Sequence, residues 1–220
     1  IIIAESIEQA KNASELIFAD IEEIPSITST SEAIKDESPQ VWENTKNNLC
    51  FDWEMGEKNR VEDAFKNANS IVEIELINNR IVPNSMETRG AVASYNKENS
   101  KYELRCSSQG VHSLRDRISD VLNIEADELR VITTDVGGGF GMKIFNYPEY
   151  ICSLFASKQV GRPVKWISER SEAFLSDTHG RDHVTKAKLA LDKNGIFLGI
   201  KIDTIANMGA YLSNFAIFIP

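Results

Sequence analysis

A glycine cluster between residues 137 and 141 is the segment whose composition most directly predicts ligand binding. Glycine occupies four of these five positions, and a predicted strand over residues 129–134 precedes them. Glycine has no β-carbon, so it adopts positive φ angles and lets main-chain N–H groups approach a ligand closely. Successive amides in such a loop form a concavity that binds anions. The cluster therefore predicts a cradle for a phosphate or an oxo group, although a tight turn without a ligand has the same composition.

Two familiar phosphate-binding motifs do not fit this cluster. A P-loop requires a glycine followed by lysine and then by serine or threonine. Here Met142 stands in the glycine position before Lys143, and Ile144 follows the lysine. A Rossmann fingerprint counted from Gly137 also requires glycine at position 142. Both motifs are excluded, which leaves open a phosphate- or nucleotide-binding module that uses the glycines in another way.

A second candidate segment, residues 107–110, connects a predicted strand to a predicted helix. The N-terminus of a helix carries unpaired N–H groups and a positive potential. Gln109 adds a side-chain amide that both donates and accepts hydrogen bonds, although a glutamine before a helix is more often a solvated cap residue. Because this segment and the glycine cluster both follow strands, we expect them to lie side by side and to face one ligand.

The histidines and cysteines do not form a recognisable metal or nucleophile motif. The three histidines share no metal-ligand spacing with carboxylates, and they belong to no evident Ser-His-Asp arrangement. No CxxC pair occurs, which excludes a zinc ribbon, a cysteine-only iron–sulfur site and a disulfide scaffold. The cysteines are Cys50, Cys106 and Cys152. Free thiols fit a reducing compartment, so we expect a cytoplasmic protein.

Composition narrows the classes of partner. Lys and Arg total 24 and Asp and Glu total 33, which gives the 220-residue chain a net charge of −9. This acidity argues against nucleic-acid binding and against docking on an anionic membrane. No segment approaches the about 20 apolar residues of a membrane span. An apolar content of 42% predicts an ordinary globular protein.

The predicted elements are of the α+β class, with mixed sheets, strands that pair locally as hairpins, and helices inserted between them. The helices are predicted to begin at Ile7, after the N-cap Ser6, and at Val61, Val111 and Pro148. The strands are predicted at residues 21–24, 70–82, 89–95, 101–106, 129–134, 162–167, 184–191 and 196–206. Residues 26–58 show no lasting periodicity, which predicts a linker or crossover. The apolar residues 1–3 and 215–219 suggest a piece of a longer polypeptide.

Five segments together carry a family resemblance, namely residues 80–89, 107–112, 135–143, 161–166 and 179–183. In this order they resemble the molybdenum-binding large subunit of the xanthine dehydrogenase, aldehyde oxidase and aerobic carbon monoxide dehydrogenase family. The resemblance implies three parts of the chain. Residues 1–25 would be the C-terminal end of an α/β hammerhead domain, residues 26–59 a linker or crossover, and residues 60–220 the first molybdopterin-binding domain, incomplete at its C-terminus.

The same resemblance implies a molybdenum–molybdopterin cofactor, in its cytosine dinucleotide form in bacterial members. The glutamine that matches Gln109 hydrogen-bonds near an oxo ligand of the metal, and the segment that matches residues 139–141 presents main-chain amides to that group and to the pterin. The cofactor-binding residues are therefore expected to be Gln109, Gly138, Gly139, Phe140 and Gly141. No catalytic or metal-ligating residue is expected, because the family's catalytic glutamate and cysteine loop lie downstream of this segment.

Family chemistry is the oxidation of an aldehyde, an N-heterocycle or carbon monoxide with oxygen derived from water. The resemblance therefore implies a small-molecule substrate, with [2Fe–2S] clusters and FAD on partner domains or subunits, in a homo- or hetero-oligomer. The whole protein would be an enzyme, and this segment alone an inactive part of it. Two alternatives remain at this point, a non-catalytic interaction module and the phosphate- or nucleotide-binding module described above.

Overall fold

The computed structural model describes residues 1–213 and residue 215 of the chain. The helices are α1 (Ile7–Glu15), α2 (Thr30–Ala33), α3 (Lys58–Lys66), α4 (Val111–Leu122), α5 (Pro148–Val160) and α6 (Arg170–Ser176). The strands are β1 (Ser70–Asn78), β2 (Gly90–Asn96), β3 (Lys101–Cys106), β4 (Leu129–Ile132), β5 (Val164–Ile167), β6 (His183–Leu191) and β7 (Phe197–Ala206). Helices and largely antiparallel strands alternate irregularly, and the predicted α+β class is confirmed.

The chain forms two compact units that interleave along the sequence. The first unit contains Ile1–Glu22 and Val82–His179, and the second contains Glu23–Ile81 and Gly180–Pro220. Each unit has its own sheet, so each can be described by itself. Every predicted site residue lies in the first unit.

The four-stranded sheet of the first unit has the order β4-β3-β2-β5. Strands β2 and β3 form the predicted hairpin, β5 pairs antiparallel with β2, and β4 pairs parallel with β3. The connection from β3 to β4 runs through α4. Because β3 and β4 are parallel neighbours, their carboxyl ends meet at one edge of the sheet. The two segments that the sequence singled out follow these ends, so the parallel pair brings them to the same edge.

Two helices of the first unit show why the sequence folds locally as predicted. Leu114 and Ile118 lie one turn apart on α4 and are almost completely buried, which fixes its inward face. Asn123 ends α4 in the left-handed region with φ of 52°. Pro148 occupies the first turn of α5, where a missing N–H leaves no hydrogen bond unmade. Gly161 then caps α5 with φ of 64°.

The second unit contains an antiparallel sheet with the order β1-β6-β7. The predicted hairpin between β6 and β7 turns on Asp192, whose Oδ1 accepts hydrogen bonds from the amides of Asn194 and Ile196, each at 2.8 Å. Helix α3 lies close to β7, since a Cβ on Gly199 would come within 3.0 Å of the Cβ of Ala64. A glycine at this position therefore allows the helix to approach the sheet.

Several local predictions differ from the structure; for example, β1 ends at Asn78 and not at residue 82. Residues 21–24 form no strand, because no neighbouring strand pairs with this short apolar segment and Ile21 and Ile24 remain exposed. The apolar spacing after Ile7 predicts a helix to about Phe18, but α1 ends at Glu15. Helix α6 was not predicted from the sequence. The predicted N-cap is confirmed, since Ser6 Oγ accepts a hydrogen bond from the amide of Gln9 at 3.2 Å.

The crossover at residues 26–58 is mostly irregular, as predicted, but it contains α2 and a single 3₁₀ turn, Lys46–Asn48. Trp42 packs by an edge contact against Tyr211, and its Nε1 donates to the carbonyl oxygen of Ala210 at 2.7 Å. The apolar stretch noted at residues 215–219 lies outside the described residues, apart from residue 215. Within the described part of the chain, no helix has the length and apolarity needed to cross a membrane.

Candidate functional site

Two loops meet at the edge of the first unit's sheet where β3 and β4 end. We call residues 107–110 the glutamine loop and residues 137–141 the glycine loop. The amide of Gln109 donates to the carbonyl oxygen of Lys143 at 3.1 Å, and the amide of Lys143 donates to Gln109 Oε1 at 3.0 Å. Closer to the strand ends, the amide of Ser108 donates to Thr133 Oγ1 at 3.2 Å. The structure thus places the two loops side by side, as the sequence predicted.

Close packing between the loops requires glycine at position 139. A Cβ built on Gly139 would lie 2.5 Å from Gln109 Oε1 and 2.6 Å from its Cδ, which is well inside van der Waals contact. The side chain of Gln109 therefore lies directly against the main chain of the glycine loop. The absence of a side chain at residue 139 lets the glutamine side chain approach the loop main chain this closely.

The main chain of the glycine loop adopts positive φ angles at three of its five positions. Gly138 has φ of 96° and Gly141 has φ of 87°, which glycine adopts without a steric penalty. Phe140 lies between them with φ of 51°, an uncommon angle for a residue with a side chain. The residue is 74% exposed. The conformation of Phe140 is thus set by the surrounding loop and not by burial of its ring.

The amide nitrogens of residues 138–141 make no hydrogen bond to any part of the chain that the structure describes. The amides on either side are occupied, since Gly137 N donates to Glu87 Oε2 at 2.9 Å and Met142 N donates to the carbonyl oxygen of Gly139 at 2.9 Å. Four successive N–H donors of the loop are therefore unpaired within the described part of the chain. Such a set suits an anionic or oxygen-rich ligand and does not suit a cation.

An ion pair beneath the glycine loop was not predicted from the sequence. Lys143 has a completely buried side chain, and its Nζ donates to Glu87 Oε2 at 2.6 Å. Burial would raise the pKa of Glu87, but hydrogen bonds from Lys143 and from the Gly137 amide outweigh it and hold the pKa below its ordinary value. Both charges are thus paired with each other. No local pattern signals this pairing, because the two residues are 56 positions apart.

A buried arginine supports the turn that follows the glycine loop. Arg89 is completely buried and donates to Asp177 Oδ1 at 2.5 Å and to Glu149 Oε2 at 3.0 Å. Its guanidinium lies 3.6 Å from the ring centre of Tyr147. The hydroxyl of Tyr147 in turn donates to the carbonyl oxygen of Met142 at 3.0 Å. This network connects the core of the first unit to the residue directly after the glycine loop.

An open cavity of about 230 Å³ lies at the same sheet edge. Its lining residues are Glu87, Arg105, Cys106, Ser107, Ile132, Thr134 and Asp135. Burial raises the pKa of the Cys106 thiol to about 12, so this cysteine remains protonated and is a poor nucleophile at neutral pH. Among the described residues, no group of three histidine, cysteine or carboxylate side chains is placed to hold a metal ion.

Comparisons of this chain with known proteins point to a ligand of the kind that the main-chain amides of the glycine loop suit. Residues 41–220 match the family model described as the molybdopterin cofactor-binding domain. The chain is 30% identical over 223 residues to the carbon monoxide dehydrogenase large chain of Hydrogenophaga pseudoflava, covering 96% of this chain and 28% of that protein. It is 28% identical over 216 residues to the nicotine 6-hydroxylase large subunit of Paenarthrobacter nicotinovorans, covering 96% of this chain and 26% of that protein.

The chain is also similar to a solved structure of a molybdenum enzyme. The crystal structure of the Cu,Mo-CO dehydrogenase in its carbon monoxide reduced state superposes with a TM-score of 0.86 at 29% identity, covering 91% of this chain and 27% of that chain. The chain therefore spans about a quarter of the length of these relatives. The family resemblance read from the sequence is confirmed, and the comparisons give no support to a nucleotide-binding or purely interacting module.

Proposed function

Because this chain belongs to the family of molybdopterin cofactor-binding domains, we propose that its two loops contact that cofactor directly. The contacting residues are Gln109, Gly138, Gly139, Phe140 and Gly141. The observation that carries this assignment is the packing of the Gln109 side chain against Gly139, beside four amides without a partner among the described residues. A molybdenum–pterin group presents oxygen atoms and negative charge, which main-chain amides bind well.

The residues present fit such a group. A Cβ at Gly141 would meet nothing within 4 Å, so the loop offers open main chain there, as close contact with a ligand requires. Lys143 is fully engaged by Glu87, which leaves the neutral amides to make the ligand contacts. When bound, the molybdenum cofactor supplies the redox chemistry, in which the substrate gains an oxygen atom derived from water. The loops themselves bind and orient the cofactor.

The activity of the whole protein is part of the same proposal. We propose that the parent polypeptide is a large subunit of a molybdenum hydroxylase that oxidises a small molecule such as an aldehyde, an N-heterocycle or carbon monoxide. The cofactor is expected in its cytosine dinucleotide form. Electrons leave through [2Fe–2S] clusters and FAD on partner domains or subunits of a cytoplasmic oligomer. The names of the relatives as large chains and large subunits support a multi-subunit assembly.

The proposed division of the chain follows from the same family. Residues 1–25 are the end of a preceding α/β hammerhead domain, residues 26–59 form a crossover, and residues 60–220 belong to the first molybdopterin-binding domain. The family match at residues 41–220 supports the last assignment. In this proposal the chain alone contributes cofactor contacts and no reacting side chain.

Cofactor analysis of the full-length protein tests the proposal. The protein is produced with its partner subunits in a host that makes the molybdenum cofactor, and molybdenum and pterin are measured per polypeptide. We expect both in the wild type, a marked loss in Gln109→Ala, and no loss in Gln159→Ala, which changes an exposed glutamine on α5. A wild-type protein that contains neither molybdenum nor pterin after maturation would overturn the proposal.

A further inference from the structure

The carboxylate of Glu87 holds both ends of the glycine loop. Its Oε2 accepts a hydrogen bond from the amide of Gly137, where the loop begins, at 2.9 Å. The same oxygen accepts from Nζ of Lys143, just after the loop ends, at 2.6 Å. The amide of Glu87 also donates to the carbonyl oxygen of Gly137 at 3.1 Å. One residue thus fixes the beginning and the end of this loop.

Contact between Glu87 and Gly137 is too close for any other residue at position 137. A Cβ built on Gly137 would lie 2.5 Å from the Cβ of Glu87. The first glycine of the loop therefore serves the approach of Glu87, whereas Gly139 serves the approach of Gln109. The glycines at 137 and 139 have different structural partners, and only the second faces the proposed ligand contacts.

Lys143 extends the same network to the glutamine loop. Its side chain ends on Glu87, while its main-chain N–H donates to Gln109 Oε1 at 3.0 Å. Ser107, which opens the glutamine loop, is also near enough to the Glu87 carboxylate to help lower its pKa. Because Gln109 Oε1 is already occupied by Lys143, the Nε2 end of the same amide is the part left to meet a ligand.

We infer that Glu87 and Lys143 are positioning residues that hold the amides of residues 138–141 and Gln109 Nε2 in one arrangement for cofactor binding. This inference rests on the proposed function. A role in stability alone would be a weak reason for the pair. Lys143 is completely buried but Glu87 is 42% exposed, and an ion pair that requires burial of a charge is often no more stabilising than apolar residues of similar volume. Removing one partner, in contrast, leaves an uncompensated charge, so stability and positioning must be separated by experiment.

The test uses the full-length protein with its partner subunits and compares Glu87→Gln, Lys143→Met and the double variant with wild type. Glu73→Gln is the matched control, because it breaks an exposed pair with Lys188, at 3.0 Å, on the other unit's sheet. Three quantities are measured: molybdenum and pterin content, the EPR spectrum of the bound molybdenum, and the thermal stability of cofactor-free protein. We expect Glu87→Gln to lower cofactor content roughly tenfold, the scale seen when supporting residues of a metal site are changed.

The double variant separates the two roles. It leaves no unpaired charge, so the cofactor-free double variant should have a thermal stability close to that of wild type. Its cofactor content should remain low, and the EPR spectrum of its remaining molybdenum should differ from that of wild type. Return of cofactor content together with stability would show a structural role only and overturn the inference, as would wild-type content in Glu87→Gln. Wild-type protein without molybdenum would overturn the proposed function itself, and the inference with it.

Discussion

Gln109 and Lys143 are joined by two opposed hydrogen bonds, one from each main-chain amide, at 3.1 Å and 3.0 Å. The first ends on the Lys143 carbonyl and the second on the side-chain oxygen of Gln109. This arrangement fixes the rotation of the glutamine amide, because a side-chain oxygen that accepts one bond cannot turn freely away from it. The conformation of Gln109 is therefore set before any ligand binds, which lowers the entropic cost of binding.

Alanine at position 139 should remove this preorganisation without disrupting the fold. The new Cβ would lie 2.5 Å from Gln109 Oε1, so the flexible glutamine side chain must move and lose its bond from Lys143. We expect Gly139→Ala to lower the molybdenum content strongly and to change the melting temperature little. Gly180→Ala is the control, because a Cβ at that position has open space around it. Wild-type molybdenum content in Gly139→Ala would contradict the assignment of the glycine loop.

Gly141 tests main-chain strain separately from collision. A Cβ at Gly141 has no atom of the chain within 4 Å, so in the cofactor-free protein a substitution acts only through the positive φ of 87°. The glycine of the β6–β7 hairpin, Gly195, is a close match, with φ of 81° and equally open space. Alanine at either position should cost about 1 kcal/mol of unfolding free energy. Only Gly141→Ala should lower cofactor content, and an equal loss in both variants would indicate a general effect of instability.

Much of the fold follows from local patterns, and these parts were predicted. The two hairpins and helices α4 and α5 are specified by neighbouring residues, through apolar periodicity, Pro148 and the turn at residues 192–195. The parallel pairing of β3 with β4 joins distant segments, and a sequence pattern does not specify it. Helix α6 was missed because its start is marked by Glu169 in a reciprocal hydrogen-bond pattern with Glu172, which is less familiar than a serine or threonine cap.

The same distinction applies to the candidate site. Glycine and glutamine residues in loops after strands were visible in the sequence, because their chemistry depends on residue type and local order. The pairing of Glu87 with Lys143 was not visible in the sequence. A glutamate and a lysine 56 positions apart show no relationship until the fold brings them together. Their importance follows from the complete burial of the Lys143 side chain, which only the structure reveals.

Arg89 should be a main determinant of stability in the first unit. Its side chain is completely buried, and its partner Asp177 is only 2% exposed. Arg89→Met would leave that carboxylate buried without a counter-charge, at a cost of about 3–5 kcal/mol in unfolding free energy. Arg60→Met removes an exposed pair with Glu57 and should change stability by less than about 1 kcal/mol. Urea unfolding of the cofactor-free protein measures the loss of unfolding free energy in both variants. Similar losses in the two would contradict the assigned role of the buried network.

The ion pair beneath the glycine loop should also give the protein a defined pH dependence. Burial acts to raise the pKa of Glu87, but hydrogen bonds from Lys143 and Gly137 dominate, so its pKa lies below the ordinary value of 4.5. Because the folded state has the lower pKa, ionised Glu87 stabilises the fold at pH values above 4.5. That contribution is lost as the pH falls from there through the lower pKa of the folded state.

Comparison of the unfolding free energies of wild type and Glu87→Gln across this pH range tests whether folding lowers the pKa of Glu87. The difference in unfolding free energy should be constant from neutral pH down to about the unfolded pKa of a glutamate and should then shrink as the pH falls further. Gln159→Ala, which changes no titratable group and lies on an exposed face of α5, should differ from wild type by the same amount throughout. A difference between wild type and Glu87→Gln that grows on acidification would mean that the folded protein raises the pKa of Glu87. The carboxylate would then be a poor partner for Lys143, and some other group would have to hold the two ends of the loop.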